Sequence, residues 1–510
     1  MAVQPNKLTY VVAGLMLGIF MSSMDNTIVA ASMGTIVSDL GGIEHFIWVT
    51  SAYMVTSMAG TPIFGKLSDM YGRKRFFVFG IVLFLVGSIL CGLATSISQL
   101  SVFRAIQGIG GGALMPIALT ILFDLFPPEK RGKISGISGA VFGASSIFGP
   151  LIGAVITDHF GWNWVFYVNV PIGVAACLLI VLFYHESPVH SRQKIDWWGA
   201  AALIGSVVCL MFALELGGNR YDWNSGVIVS LFLLFGILFS GFVIAEKKAE
   251  APIISFRMFA NRLYTASIAA AFFYGSAFVI ATVYVPIFIQ GVFGGSATGS
   301  GTMLMPMLIT GVLFSQIGGR LTSRFSYRSI MIGSALLLMA GMYLLSRLSP
   351  ELSRPVVTLF MMVTGMGIGV SMSVLMQSAV HHFDMRQRGA ATSSVVFLRS
   401  LGMTIGITVF GVIQRNALLS KLGDAVGSAQ KISGEIPLEP QSILTPELRA
   451  QIPPEMVETI RNALSTSIAD TFLWGIIPAT LAMVCVMLMT GDRVRTTKDA
   501  AGGKAVREIN

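Results

Sequence analysis

The sequence predicts an all-α integral membrane protein with fourteen transmembrane helices, and three observations carry the prediction. Hydrophobic residues make up 54% of the 510-residue chain and charged residues only 12%, about half of the ~25% that solvates a soluble domain. The apolar residues fall in runs of about twenty, each long enough to cross roughly 30 Å of hydrocarbon as a helix. The mean hydropathy is +0.75, and the basic residues stand mostly in the short loops between alternate runs. Soluble enzymes, secreted disulfide scaffolds and disordered chains are excluded together.

The runs lie at residues 8–31, 46–65, 76–95, 100–123, 134–157, 164–184, 197–216, 225–245, 263–290, 298–318, 329–347, 356–380, 391–413 and 467–490. Lys7 precedes the first run as it would in a signal peptide. The run's length, its internal Asp25 and the absence of a clear cleavage site predict a retained helix instead. Most of the 34 basic residues occupy one set of alternate loops, in clusters such as Lys66/Arg73/Lys74/Arg75, Lys130/Arg131/Lys133, Arg320/Arg324/Arg328 and Arg386/Arg388, with more in the tail 491–510. The positive-inside rule puts that face in the cytoplasm and, with an even number of spans, both termini with it. The net charge of +9 therefore reports topology, and no nucleic-acid partner is expected.

Cys91, Cys177, Cys209 and Cys485 sit inside apolar runs with no C-x-x-C pair and no histidine at ligand spacing. They read as small buried hydrophobes, with neither a disulfide nor a metal site. The segment 414–466 is the one sizeable non-membrane stretch and carries Pro437, Pro440, Pro446, Pro453 and Pro454. It is expected outside the cell, either as a helical lid built from stretches such as Pro446–Gln451 and Pro454–Leu464 or as a plain tether.

Two loops echo each other. Gly65-Lys-Leu-Ser-Asp69-Met-Tyr-Gly72-Arg73-Lys-Arg75 recurs weakly as Gly319-Arg-Leu-Thr-Ser-Arg-Phe-Ser-Tyr-Arg328, and Lys130-Arg131-Gly132 as Gln387-Arg388-Gly389. The two offsets nearly agree, which predicts parallel six-helix repeats around an inserted helix pair. Such repeats are a transporter architecture with the substrate site between them near mid-membrane. The expected divisions are 1–186 and 262–490 for the two bundles, 187–261 for the inserted hairpin with its linkers, and 491–510 for a basic tail.

These residues resemble the major facilitator superfamily. Gly65–Arg75 is similar to its loop motif between helices 2 and 3, Arg104-Ala-Ile-Gln107-Gly108-Ile-Gly110 to its helix 4 motif, and Gly149-Pro150-x-x-Gly153 to its helix 5 antiporter motif. Met24-Asp25-Asn-Thr27-Ile28-Val29 and Trp162–Gly173 resemble the fourteen-helix drug:proton antiporter branch, the multidrug efflux transporters of the EmrB/QacA type. The resemblance implies a major facilitator fold of 6 + 2 + 6 helices. The chain departs from the pattern after Val29, where the usual Asn and helix-ending Pro are missing, and at Ser145 and Ala154, where glycines are usual.

Asp25 is the sharpest candidate for chemistry. A lone carboxylate well inside a span costs several kcal/mol unless it is paired, hydrated or protonated, and desolvation drives carboxyl groups toward the neutral form. That fits a group that alternately holds and releases a proton; a structural Asp bonded to a neighbouring helix is the other reading. The resemblance implies proton coupling here. Arg104 cannot shed its charge and needs a partner or a wet cavity; the resemblance places it near the helix 1 acid, where it is expected to tune protonation. Arg399, inside span 13, is either structurally paired or a substrate contact. Glu215, near the outer end of span 7, is expected to snorkel to the surface.

The resemblance further implies a charge latch at Asp69 and Arg73, with Gly65 and Gly72 in the same gate. Ser323 and Ser326 replace Asp and Gly in the second copy, so the latch is expected to be asymmetric. Gly149, Pro150 and Gly153 are expected to give close packing and a bend that works in rocking. For the substrate path the expected lining residues are Asn26, Tyr53, Gln107, Phe272, Phe273, Tyr284 and Arg399, in a soft pocket rich in Met and Phe. A cationic drug would compete with the proton for Asp25.

The function expected is proton-coupled export of lipophilic, often cationic drugs by alternating access, conferring multidrug resistance. The alternative on the same fold is export of one dedicated antibiotic, metabolite or lipid. A membrane enzyme built on His381-His382-Phe-Asp384, or a non-transporting sensor, is the remote alternative. No cofactor is expected beyond protons as coupling ion, the partners are drugs, protons and membrane lipids, and the unit is a monomer in a bacterial plasma membrane.

Overall fold

A computed structural model describes residues 5–41, 47–186, 196–218, 220–249, 252–294, 297–426 and 454–494. All fourteen expected spans are helical. In chain order they are α1 Pro5–Leu40, α2 Ile47–Tyr71, α3 Arg73–Gly92, α4 Ile97–Leu125, α5 Pro128–Phe160, α6 Trp164–Phe183, α7 Trp197–Leu216 and α8 Gly226–Lys248. There follow α9 Arg262–Phe293, α10 Ala297–Leu321, α11 Tyr327–Leu345, α12 Arg354–Val380, α13 Arg388–Val426 and α14, made of Pro454–Trp474 and Ile476–Met487. Among the described residues, thirteen of these are long and apolar enough to cross a bilayer. The exception is α2, whose run of Thr50, Ser51, Thr56, Ser57 and Thr61 and whose Lys66 and Asp69 dilute its apolar content.

Local chemistry sets the ends. Side chains of Ser96, Asp196, Ser225, Asn261 and Ser326 accept a backbone N–H at the start of α4, α7, α8, α9 and α11, satisfying donors the first turn leaves free. Prolines break two spans: Pro171 cannot donate to Tyr167, and α6 is interrupted at Val168; Pro478 cannot donate to Trp474, and α14 is interrupted at Gly475. Pro150, whose missing N–H removes one bond of the α5 ladder, lies within a single helix from Pro128 to Phe160. Without a stop after Val29, α1 continues to Leu40 and ends at Gly41, whose φ of +67° only glycine adopts freely.

The expected 414–466 loop is shorter than its composition suggested. Helix α13 runs on to Val426, and α14 begins at Pro454, so the Pro454–Leu464 stretch is helical. Pro446–Gln451 and most of the basic tail lie outside the described residues.

The buried core divides. Residues of α1, α3, α4 and α6 fill two clusters around Leu15, Phe77, Phe84 and Leu114 and around Ile28, Leu100 and Phe166. Residues of α9 to α14, joined by Leu119 and Phe123 of α4, fill another, around Tyr274, Phe288, Met361 and Phe472. Helices α7 and α8 form a hairpin on the outside. Their Leu203, Val207 and Phe242 pack with Val55 and Met58 of α2 and with Phe397 of α13, so the hairpin touches both halves. Its other side, with Leu233 and Ile237 exposed, faces lipid. Glu215 does not snorkel: it is turned toward α2, where Ser51 hydrogen-bonds it.

The two basic turns do equivalent work. Arg131 donates through Nε to the Phe123 carbonyl at the end of α4 (2.9 Å), and Arg388 donates to the Phe383 carbonyl just beyond α12 (3.3 Å). Each arginine thus closes the helix before its own.

Candidate functional site

Asp25, midway along α1, is wholly buried, and four helices converge on it. Arg104 and Gln107 stand three residues apart on α4, hence on one face. Arg104 Nη1 donates to Asp25 Oδ2 at 2.5 Å, and Gln107 Nε2 donates to Oδ1 at 2.8 Å. From the start of the second piece of α6, Asn169 Nδ2 donates to the same Oδ1 at 2.9 Å and to Ser88 Oγ of α3 at 3.0 Å. Ser88 in turn donates to the Phe166 carbonyl at 2.8 Å. Asp25, Arg104, Gln107, Asn169 and Ser88 all have zero exposure. A carboxylate is an acceptor-only group, and this cage offers it nothing but donors.

Arg104 is equally committed. Besides Asp25 it donates to the Val49 carbonyl (3.2 Å), to Gln107 Oε1 (2.8 Å) and to Asn26 Oδ1 (3.5 Å). Its guanidinium lies 4.3 Å from the centre of the Tyr53 ring, a cation–π contact. Three residues expected to line the drug path, Asn26, Tyr53 and Gln107, are therefore members of this cage. Tyr53 and Gln107 are buried here and are not open to a ligand.

A lysine at 104 keeps the charge but loses the planar fork. Losing two or more donors, on the order of 1–2 kcal/mol, is expected to slow transport about tenfold and to move its pH profile toward higher pH. Arg104→Lys with an unchanged profile in a flux assay across pH 5.5–8.5 would remove any tuning role.

A second cluster ties the halves together on the basic face. Asp69, at the end of α2, accepts from Arg73 Nη2 at 2.9 Å and from the Gly389 and Ala390 amides at the start of α13, both at 3.0 Å. A carboxylate at a helix N-terminus meets free N–H groups and the positive end of the helix dipole. Arg73 is also paired with Asp124 at the end of α4 and donates to the Met385 carbonyl, while Arg388 pairs with Asp124 at 2.9 Å. Gly72, with φ of 112°, makes the turn that brings Arg73 back over Asp69. Nearby, Gly132 of α5 and Gly319 of α10 meet backbone to backbone, and a Cβ on either would strike the other's carbonyl. Gly65 likewise packs on Ser393 and Gly389, and Gly149 and Gly153 pack on Thr27 and Ile28 of α1. At the second copy of the loop, Ser323, in the turn after α10, donates to the Arg320 carbonyl, and Ser326 caps α11.

A small apolar cavity of about 40 Å³ lies between α5 of one half and α9, α10 and α12 of the other. Phe142, Phe278, Met307, Val312, Ile368 and Met372 line it, together with Ser315, whose buried hydroxyl has no partner among the described residues. None of the expected lining residues lines it. Phe272 and Phe273 sit edge to face, 5.2 Å apart, about one and a half turns from Phe278 along α9, and Tyr284 is buried in the core of the second half. Drug sites measure roughly 300–1,000 Å³, so this cavity as it stands is too small for a drug.

Sequence reasoning missed Asn169, Ser88 and Asp124. Asn169 had a readable signal, since an amide inside an apolar span must find a partner. The cavity residues had none, because Phe and Met occur throughout the spans.

The Major Facilitator Superfamily profile matches residues 15–407, from α1 into α13. The chain belongs to the major facilitator superfamily. Within the superfamily it is 53% identical over 494 residues to multidrug resistance protein 3 of Bacillus subtilis, covering 96% of both chains. It is 36% identical to the multidrug transporter protein MdtP of the same organism, over 91% of this chain and 89% of that one. Among solved structures, the proton:xylose symporter XylE shares the fold at a TM-score of 0.62 with 15% identity, over 98% and 99% of the chains. Superfamily membership makes the chain a multi-pass membrane transporter and removes the enzyme reading of His381-His382-Phe383-Asp384. In the structure His381 meets the Tyr327 hydroxyl at 3.2 Å, and His382 lies 3.7 Å from Asp492.

Proposed function

We propose that the chain is a proton-coupled exporter of lipophilic drugs, working as a monomer in a bacterial plasma membrane with its basic face in the cytoplasm. Two six-helix bundles, 1–186 and 262–490, rock about the cavity between them. The observation that carries the proposal is the cage around Asp25: a carboxylate in mid-membrane whose every partner is a donor. The printed names of the two Bacillus relatives support drugs as the substrate class.

The cage supplies the coupling. A proton arriving on Asp25 removes the counter-charge of Arg104 while leaving Arg104 charged. A guanidinium buried without its partner is strongly disfavoured, so α1, α4 and α6 rearrange until it finds another acceptor or water. The charges of the latch hold the basic face shut while the other side discharges drug. One charge crossing 100 mV gains about 2.3 kcal/mol, enough for a concentration ratio of about fifty.

Ethidium efflux from proteoliposomes of the purified protein tests the proposal. An imposed inward proton gradient is expected to drive efflux, and a protonophore to stop it. Gradient-independent movement would refute proton coupling; failure with every dye of a lipophilic panel would favour a single dedicated substrate.

A further inference from the structure

Two arginines lie inside the bundle, and their surroundings differ. Arg104 has a carboxylate, a carbonyl, two amide oxygens and a ring. Arg399 stands eleven residues into α13, roughly 16 Å along the helix from Arg388 at the basic face, and therefore near the middle of the bilayer. Its one hydrogen bond among the described residues is long, 3.4 Å from Nη2 to the Ser371 carbonyl of α12. No described carboxylate forms an ion pair with it. The Tyr274 phenol, which Arg399 feels electrostatically, is bonded to Ser334 at 2.8 Å, and Ser371 spends its own hydroxyl on the Ile368 carbonyl at 2.7 Å.

The side chain is nevertheless not sealed. Arg399 is half-buried, and its remaining nitrogens are not among the buried atoms that lack partners, so they reach solvent-accessible space. Its backbone is fixed, because Gly275 of α9 packs directly on the Arg399 carbonyl. Ser371 is the chain neighbour of Met372, which lines the cavity between the halves. A guanidinium with four donors to spare, on a backbone held in place, thus reaches the chain neighbour of a residue that lines the cavity, without lining it itself.

We infer that Arg399 is the counter-ion for an anionic group on the substrate, so that the exporter takes lipophilic carboxylates and zwitterions in addition to, and in preference to, pure cations. The inference rests on the export reading and deepens it. Asp25 accepts from Arg104, Gln107 and Asn169 at zero exposure and is closed to a cationic drug in this state. Arg399 has the opposite deficit. A guanidinium matches a carboxylate with two parallel hydrogen bonds, and these gain strength where water is scarce.

The test uses a matched pair of dyes, rhodamine B with its free carboxylate and the methyl ester of rhodamine B, in proteoliposomes under an inward proton gradient. Wild-type protein is expected to transport the acid with a half-saturating concentration at least tenfold below that of the ester. Arg399→Gln is expected to lower the acid-to-ester ratio of transport efficiency at least tenfold, and Arg399→Lys to restore part of it. Fluorescence-polarisation binding of both dyes to the same detergent-purified proteins, each checked for an unchanged elution profile, separates loss of recognition from loss of fold. If both dyes weaken equally in Arg399→Gln, or the ratio does not move, the inference is overturned and Arg399 is structural. If wild-type protein moves ethidium and the ester but not the acid, the inference fails while export stands. If it moves none of the three, the reading as an exporter of varied lipophilic drugs fails and carries the inference with it.

Discussion

Asp25→Asn is expected to abolish gradient-driven dye efflux, to the level of protein-free vesicles, and to destabilise the protein as well. The asparagine fits the space and can accept from one or two of the donors, so the shape of the cage survives. What disappears is the charge that Arg104 faces at 2.5 Å. Removing one partner of a buried ion pair costs about 3–5 kcal/mol, because the remaining guanidinium is uncompensated at zero exposure. Stability and coupling are separated by the double variant Asp25→Asn with Arg104→Gln. It is expected to recover most of the lost thermal stability, since no charge is stranded, while efflux stays absent. Gradient-driven efflux in either variant, measured at equal protein levels, would place coupling elsewhere.

The second large effect is expected at a position with no charge. Gly132 and Gly319 cross at the basic face with their backbones touching, and the Ser373 hydroxyl donates to the Gly132 carbonyl at 3.3 Å. Gly132→Val puts three carbons where the neighbouring carbonyl stands. Overpacking of about 1–3 kcal/mol falls only on the state in which this face is closed, so the population shifts roughly 5- to 150-fold toward the state open on that face. Transport is expected to fall at least tenfold with folding intact, because each half keeps its own core. A cysteine at Ser393, introduced with the four native cysteines replaced, reads the change. Ser393 is buried against Gly65 in the closed state, so labelling from the basic face by an impermeant maleimide is expected to accelerate at least tenfold. Unaltered labelling together with unaltered transport would show that the crossing is not the closing contact.

The architecture was legible because hydrocarbon is a demanding solvent. Every backbone group must be satisfied within its own span, so uninterrupted apolar runs translate into helices with few exceptions. The errors cluster at the outer ends, where the solvent changes and composition stops deciding. Arg415 and Lys421 look like loop residues, yet α13 carries them past the expected end at 413. Within the spans, charge was the readable signal and identified Asp25, Arg104 and Arg399. Neutral partners such as Ser88, and contacts such as Gly132 on Gly319, depend on which distant helix arrives alongside, and nothing within one run encodes that.

The hairpin α7–α8 has a consequence that follows from the medium around it. Exchanging its packing on Val55, Met58 and Phe397 for contact with lipid tails replaces one hydrocarbon by another, so apolar area contributes little to holding it in place. What anchors it is polar and sits at its ends. Glu246 accepts the Ile253 amide at 2.9 Å in the linker to α9, Ser51 bonds Glu215, and Arg415 donates to the Gly218 carbonyl at 2.8 Å. The last two ties reach different halves. The hairpin is therefore held to both moving bodies at the single turn between α7 and α8, free to slide along its greased flank while that turn registers how far apart they are.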